Sequence, residues 1–331
     1  MTLEILTLGE VLIDMFPAEV GRSMPFVSAF FPKPGGAPAN VAVAASRLGA
    51  RAGFVGKVGE DIFGHYLNKV LRQEGVDTSG LRFDPEARTT LVFIALPDVN
   101  TAEFVFYRNP GADMLLNPNE LDRELLASVA CLHFGSLSLI VKPSGSATRL
   151  AVDIARQAGA LISFDVNYRP TLWQSSANAL AAVKAILPAV DLVKVNETEL
   201  KLLTGQEDLE SGTRSLRELG PELCVVSLGP QGSYYSSSES SAFIPAFPVE
   251  TVDATGCGDA FVAGLLFQLV RDGKRLNDLS EERLSSALRY ANAVGALTAT
   301  KLGVIPALPR AEQVAEFLES EHLDSRSDSC D

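Results

Sequence analysis

The stretch VDATGCGDAF, residues 252–261, places three small residues and a carboxylate directly before an apolar helical stripe. The apolar residues of 261–270 recur at helical spacing, so we predict a buried helix that begins near Gly258. The backbone N–H groups at such a helix start favour an anion, and glycines let a phosphate approach the backbone closely. Asp259, in the first turn, is then either a helix cap or a base that takes a proton from a hydroxyl attacking phosphorus.

The composition is that of an acidic globular protein. The 331 residues are 47% hydrophobic, and 41 acidic against 28 basic residues give a net charge of −13. This charge repels nucleic acids and anionic membranes, so neither is expected as a partner. No apolar run near the motif reaches the roughly 20 residues of a membrane span, and the opening MTLEILTLGE lacks the basic residues of a secretory signal. We therefore expect a cytoplasmic location.

The cysteine spacing argues against both a disulfide framework and a zinc site. No CxxC pair and no His-linked metal spacing occurs among Cys131, Cys224, Cys257 and Cys330. Free thiols in a reducing compartment are the expectation.

Short apolar runs alternate with helical patterns along most of the chain. Runs of this kind favour a mostly parallel sheet built from βαβ units, and hence an α/β class. The predicted strands are EILTLG, AGFVGKVG, ACLHFGS, ALISFDVN, VDLVKVN and ELCVVSLG, and the predicted helices include APANVAVAASRLG, DIFGHYLNKVLRQEG and SGSATRLAVDIARQAG.

Two segments, 11–31 and 89–109, break this alternation. The second reads as an antiparallel hairpin, with Pro97, Asp98 and Asn100 at its turn. We expect a small separate sheet that is either a lid over a site or an edge extension, and either form could also make a dimer contact. Residues 1–318 are predicted to form one domain, and 319–331, which lack apolar periodicity, a disordered tail.

The opening motif resembles the second signature of the ribokinase-like carbohydrate kinases, also called the phosphofructokinase-B family, usually written DTxGAGD. Here it reads Asp253-Ala254-Thr255-Gly256-Cys257-Gly258-Asp259. The family's first signature is matched by PGGAPANVAVAASRLG, more than 200 residues earlier. The resemblance implies a three-layer fold with a β-sheet lid, a catalytic base at Asp259, and an anion hole formed by the amides of the preceding residues Gly256, Cys257 and Gly258.

Within that family the chain is most similar to fructokinases, from about residue 6 to 309. The similarity rests on LGEVLIDM, FYRNPGADMLL, LHFGSLSLI, KVNETEL and ANAVGALTATKLGVIPALP. It implies transfer of the γ-phosphoryl group of magnesium ATP to a sugar hydroxyl, with D-fructose as substrate, and a homodimer formed through the lid. The alternatives are a 2-keto-3-deoxygluconate kinase and a non-catalytic scaffold homologue, although the latter usually loses residues that this chain keeps.

Four residues are candidates for holding the sugar. Asp14, placed at the end of the first strand, can accept two hydroxyls, and Asn40 offers a donor and an acceptor. Gly35 and Gly36 would let the sugar rest against the backbone. From residue types alone Asp14 is equally a turn cap and Asn40 a helix N-terminal contact; the resemblance favours sugar binding.

Arg108 and Arg169 complicate the choice of substrate. An arginine suits a carboxylate or phosphate better than a neutral ketose, and NYRPTLW around Arg169 also resembles the 2-keto-3-deoxygluconate kinases. Both arginines are candidate substrate contacts, with surface ion pairing as the alternative.

Further residues match positions that lie near the nucleotide in the family. Asn196 and Glu199 match the family's NxxE motif near magnesium, and Glu199 would act through metal-bound water; an exposed helix start is the alternative. Matches beside the triphosphate and adenine are Ser227, Gly229, Gly232 and Asn292.

Two expectations concern the loop itself. Asp253 and Thr255 match positions whose backbone carbonyls bind a monovalent cation in relatives, so potassium activation is expected. Cys257 replaces the usual alanine, and a thiol at a helix N-terminus is predicted to have a lowered pKa and to react with alkylating agents.

Overall fold

Strands and helices alternate along the chain as the apolar pattern predicts. The structure, a computed structural model, describes residues 2–98, 101–273 and 275–327. The strands in these residues are β1 (Ile5–Leu8), β2 (Leu12–Pro17), β3 (Phe30–Gly35), β4 (Ala52–Gly59), β5 (Asp77–Asp84), β6 (Leu91–Asp98), β7 (Thr101–Tyr107), β8 (Cys131–Gly135), β9 (Leu161–Asp165), β10 (Leu192–Asn196), β11 (Leu223–Ser227), β12 (Gly232–Ser236) and β13 (Ser241–Pro245). The helices are α1 (Ala37–Arg47), α2 (Ile62–Gln73), α3 (Arg123–Ala127), α4 (Ser144–Gln157), α5 (Ser176–Ile186), α6 (Glu197–Thr204), α7 (Leu209–Arg217), α8 (Cys257–Asp272), α9 (Glu281–Ala299) and α10 (Ala311–Ser327).

Nine of the described strands form the central sheet, in the order β13-β12-β11-β10-β9-β8-β1-β4-β5. The strands from β11 to β5 in this order pair in parallel, while β12 and β13 pair antiparallel at one edge. The predicted α/β class with a mostly parallel sheet is confirmed.

Strand alternation sends successive side chains into two separate cores. Ile5 and Leu192 pack with residues of α1, α8 and α9 on one face. Their neighbours Leu6 and Val193 pack with residues of α4, α5 and α6 on the other. The result is the three-layer arrangement that the resemblance implies, with the carboxyl ends of the parallel strands free to hold a site.

The second sheet is the predicted small separate sheet, the candidate lid. Its four described strands lie in the order β3-β2-β6-β7, and β6 and β7 form the predicted antiparallel hairpin. A small apolar cluster of Leu12, Phe16, Val92 and Ile94 holds it together. Asn100, which we predicted at the hairpin turn, lies outside the described residues.

Three sequence expectations need correction. Asp14 does not end the first strand, because β1 stops at Leu8 and Asp14 lies within lid strand β2. The first lid segment does not end at residue 31, since β3 continues to Gly35. Helix α10 continues to Ser327, so most of the tail that we expected to be disordered is helical.

The structure also bears on membranes and cysteines. In the part of the chain that it describes, no helix is both long and apolar enough to cross a bilayer. Cys131 and Cys224 are buried free thiols and Cys257 is a partly buried one, while Cys330 lies outside the described residues.

Candidate active site

The opening motif forms a tight loop at the N-terminus of α8. Gly256 caps the helix in a left-handed conformation with φ 79°, and a Cβ there would lie 2.3 Å from a methyl carbon of Val304. The Asp253 carboxylate accepts hydrogen bonds from the backbone N–H of Thr255 and of Gly303, both at 2.9 Å. Only glycine therefore fits at 256, and the loop holds the first amides of α8 at the protein surface in a fixed orientation.

The carboxylate of Asp259 faces Asn40 rather than its own helix. Asn40 donates its amide to Asp259 Oδ2 at 2.8 Å across the interface of α1 and α8. The helix cap is Gly256, so Asp259 does not cap α8 and its carboxylate bonds to a side chain of the site. The other amide atom of Asn40, the acceptor Oδ1, is buried and has no hydrogen-bond partner in the described part of the chain. A buried acceptor without a partner costs free energy unless a ligand satisfies it.

The surroundings of Asp259 raise the proton affinity of its carboxylate. Desolvation raises its pKa from 3.8 to about 6; the bond from Asn40 opposes this rise, Asp165 adds to it, and Lys194 and Arg169 oppose it. A base whose pKa lies slightly below neutral is ionised at neutral pH and still binds a proton well.

The side chain of Asp14, on strand β2 of the small sheet, lies within the electrostatic field of Asp259. Its Oδ2 lies only 1.9 Å from the position that a Cβ on Gly35 would occupy, so the carboxylate rests on a glycine. Gly36, with φ 105°, has the carbonyl oxygen of Glu10 2.5 Å from its own Cβ position. Burial and then the charge of Asp259, opposed by that of Arg169, raise the pKa of Asp14 to about 7, so the two carboxylates lie in one field.

The two candidate arginines differ in what they contact. Arg108 is engaged by Asp113, which accepts from its Nε at 2.7 Å and from its NH2 at 2.6 Å. Arg169 is exposed, and its charge lowers the pKa values of Asp14 and Asp259 against the effect of burial. Of the two, Arg169 is the one whose charge acts on the central carboxylates.

Sequence reasoning missed a buried ion pair beside the anion hole. Lys194 ends near Asp165 on the neighbouring strand, with Nζ 3.1 Å from Oδ2. The Nζ also lies 3.4 Å from the Cβ position of Gly258. Burial lowers the pKa of Lys194, but Asp165 and then Glu199 outweigh that effect and the net shift is upward. Lys194 is therefore cationic. In the sequence, the signal for this ion pair was a polar residue near the carboxyl end of each of two adjacent strands.

The NxxE motif forms a helix cap. Asn196 Oδ1 accepts from the backbone N–H of Glu199, and Glu199 Oε2 accepts from that of Asn196. Glu199 Oε1 accepts from the backbone of Tyr168 at 2.7 Å. The side chain of Glu199 is buried. Burial raises its pKa, the charge of Asp165 adds to the rise, and the charge of Lys194 opposes it.

These bonds decide how a metal could be held. Each oxygen of Glu199 already accepts a backbone hydrogen bond, which suits contact with metal-bound water better than a direct bond to the ion. Among the described residues, no three acidic, His or Cys side chains are grouped as a metal site.

The other candidate nucleotide residues lie around the end of β11. Ser227 is its last residue, and Gly229 and Gly232 flank the turn that follows, with φ 57° and 127°. Asn292, on α9, donates its amide to the carbonyl of Ile244 at 3.0 Å and so ties that helix to β13.

The prediction for Cys257 is wrong. Burial and then the charges of Asp253 and Asp259 raise the pKa of its thiol to about 12. The local effect of the helix start is outweighed by this acidic and desolvated position, so the thiol stays protonated at neutral pH.

The site thus combines a helix start, a partly buried carboxylate of raised pKa, a second carboxylate from the small sheet and a buried acceptor that lacks a partner among the described residues. This combination defines an enzyme that transfers a phosphoryl group to a hydroxyl compound.

Comparisons with known proteins agree with that class. Residues 2–311 match the family described as pfkB family carbohydrate kinase. A probable fructokinase-2 of Arabidopsis thaliana is 47% identical over 315 residues, or 95% of each chain. A fructokinase of Xylella fastidiosa with bound ATP has a TM-score of 0.89 at 32% identity, covering 97% of this chain and 100% of that one. A fructokinase double mutant of Vibrio cholerae O395, bound to fructose, ADP and a potassium ion, has a TM-score of 0.83 at 33% identity, covering 96% and 99%.

The chain therefore belongs to the pfkB family of carbohydrate kinases. The resemblance that the two signatures carry is confirmed, and the enzyme is an ATP-dependent sugar kinase.

Proposed function

We propose that this enzyme is a fructokinase that transfers the γ-phosphoryl group of ATP to the 6-hydroxyl of D-fructose, with Asp259 as base. The observation that carries the proposal is the state of Asn40, whose Nδ2 holds Asp259 at 2.8 Å while its buried Oδ1 lacks a partner. A sugar hydroxyl donates the missing hydrogen bond, and a sugar held there lies beside the base. The fructokinases of similar sequence and structure support fructose as that sugar.

Asp14 supplies the second hold on the sugar. Its carboxylate rests against Gly35 on the lid side, opposite Asp259. Two sugar hydroxyls can donate to its two oxygens, and such bonds favour the ionised carboxylate, whose pKa burial raises to about 7. Sugar binding and ionisation of Asp14 therefore support one another.

The phosphoryl end is stabilised by fixed charges. The amides of Gly256 and Gly258 lie at the start of α8, that of Cys257 donates to the carbonyl of Ala254 at 3.3 Å, and the Lys194 ammonium lies beside Gly258. The helix start and the ammonium oppose the negative charge on the transferring group without reorganising during the reaction. Asp259 takes the hydroxyl proton as the oxygen attacks phosphorus, and the lid limits competition from water.

The metal ions follow from the donors present. Magnesium would arrive with ATP and neutralise phosphate charge, held through water by Glu199 and the side chain of Asn196. The Asp253 carboxylate is used in bonds to the backbone of Thr255 and Gly303, so a potassium ion would take the backbone carbonyls of Asp253 and Thr255. The nucleotide itself would lie along Ser227, Gly229, Gly232 and Asn292.

The lid is also the proposed dimer contact. It exposes large apolar side chains that a second copy could cover: Val20, Phe26, Phe31, Phe104, Val105 and Tyr107. Phe26 and Tyr107 are 70% and 65% exposed, although each is a large aromatic. Replacing both with Glu should give a monomer in analytical ultracentrifugation, and a wild-type monomer at micromolar concentration would contradict this contact.

We place the enzyme in the cytoplasm on the strength of its buried free thiols, Cys131 and Cys224, which suit a reducing compartment. Cell fractionation with an antibody to this chain tests the location, and enrichment in an oxidising compartment would contradict it.

A coupled assay with a panel of acceptors tests the substrate. Fructose should be phosphorylated with the highest kcat/KM among fructose, ribose, adenosine, 2-keto-3-deoxygluconate and fructose phosphates, with fructose 6-phosphate as product by NMR. Asn40→Ala should raise the KM for fructose and lower kcat, since it removes both the sugar acceptor and the partner of Asp259. Preference for the sugar acid, abolished by Arg169→Ala, would assign the rival activity instead.

A further inference from the structure

The chain passes between the main domain and the lid four times, and the passages lie close together. They are residues 9–11, 36, 85–90 and 108–111. Any rotation of the lid must change backbone angles in these four short segments, because each is flanked by strands or helices that their own hydrogen bonds hold.

Asp113 joins two of the passages to the main domain. It lies in a short 3₁₀ helix just after the fourth passage. One of its oxygens accepts from Thr90 Oγ1 at 2.6 Å, and the other accepts from Arg108 Nε at 2.7 Å. The side chains of Arg108 and Asp113 are only 4% and 3% exposed. Charge-assisted bonds of this kind are strong and directional in a buried setting.

Glu10 joins the other two passages. It lies in the first passage, and its Oε1 accepts at 3.1 Å from the backbone N–H of Ala37, the residue that follows the second passage. The side chain is buried, and burial raises its pKa to about 7, with the charge of Arg108 opposing the rise and that of Asp113 adding to it. Glu10 therefore lies in the field of the Arg108 and Asp113 pair.

We propose that Glu10, Thr90, Arg108 and Asp113 form the hinge of the lid and act as positioning residues for phosphoryl transfer. The hinge sets the angle at which lid strand β2 presents Asp14 to the catalytic Asp259.

The placement of Asp14 explains why a hinge matters to the reaction. Asp14 lies four residues beyond Glu10, on a strand that begins at Leu12 and so follows any movement of the first passage. A misplacement of about 1 Å can cost about 100-fold in rate, even when the altered residue is remote from the reacting atoms. Asp113→Asn would leave the Arg108 guanidinium buried without a counter-charge, which favours a displaced passage.

The kinetic part of the test rests on the proposed function, whereas the hydrogen-exchange part does not depend on it. Asp113→Asn and the milder, nearly isosteric Thr90→Val loosen one pair of passages, and Glu10→Ala loosens the other. The matched control is Glu74→Gln, because Glu74 also accepts from the Nε and NH2 of an arginine, Arg47, at 2.8 Å, away from the lid.

Kinetically, the hinge variants should raise the KM for fructose and the ratio of ATP hydrolysed to sugar phosphorylated, each by about tenfold for Asp113→Asn. The KM for ATP should stay near the wild-type value. By hydrogen exchange, residues 12–17 and 91–98 should lose protection while β8 and β9 keep theirs. Glu74→Gln should lower Tm without either effect.

Unchanged coupling ratio and unchanged lid exchange in folded Thr90→Val and Glu10→Ala would overturn the hinge. If the wild type phosphorylates no sugar, the proposed function fails, and the exchange measurement still decides for or against the hinge.

Discussion

Replacing Asp259 with Asn should lower the rate of catalysis but raise the stability of the fold, because burial of this carboxylate both raises its proton affinity and opposes folding. Asn has nearly the same shape and can still accept the hydrogen bond that Asn40 donates at 2.8 Å. It cannot take a proton from a sugar hydroxyl at neutral pH. General-base catalysis contributes about 10²- to 10⁴-fold to rate, so kcat should fall by about that factor while the KM for ATP changes little.

The same substitution should increase the stability of the folded protein at alkaline pH. The folded-state pKa of Asp259 is raised from 3.8 to about 6, so its ionised form opposes folding above about pH 6, and this cost disappears below the unfolded value. At about 1.4 kcal/mol per tenfold change in proton affinity, the ionised carboxylate costs at most about 3 kcal/mol. The partial solvent exposure of the side chain reduces that figure. Asp259→Asn should therefore raise Tm by a few degrees at pH 8 and have little effect near pH 4.

The assay is a coupled ADP-release measurement with fructose, paired with calorimetry at both pH values. Asp272→Asn is the matched control, since Asp272 lies at the other end of α8 and pairs with Arg283 at 2.7 Å. It should keep normal kcat and lose some stability. If Asp259→Asn keeps more than about a tenth of wild-type kcat, the residue is not the base.

Three further predictions follow from the same geometry. The kcat/KM for sugar should fall as pH drops through about 7 and then about 6, because Asp14 and Asp259, with pKa values raised to about 7 and about 6, become protonated; a flat profile between about pH 5 and 8 would contradict this. Cys257 should react slowly with iodoacetamide at neutral pH, since the pKa of its thiol is raised to about 12; mass spectrometry that finds rapid modification of Cys257 would show the thiolate to be accessible. Gly35→Ala should raise the KM for sugar by tenfold or more with normal KM for ATP, because the new methyl would lie 1.9 Å from Asp14 Oδ2; unchanged sugar KM would place Asp14 outside the sugar site.

Local patterns determined much of the architecture. The helical spacing after Gly258 and the strand runs depend on neighbours a few residues apart, so they predicted α8 and the parallel sheet correctly. Lid boundaries were less predictable, because β3 reads PKPG toward its end and its extended form depends on pairing with β2.

The sequence by itself determined which chemical groups are present: a helix start that favours an anion, a carboxylate in its first turn, and two family signatures in the right order. The tertiary structure decided which groups meet, since Asn40 and Asp259 are 219 positions apart and bond at 2.8 Å. It also reversed the expectation for Cys257 and turned Arg108 toward Asp113. The reason is physical: propensities and helix starts act over one turn, whereas proton affinity and ion pairing depend on desolvation and on charges that only folding brings together.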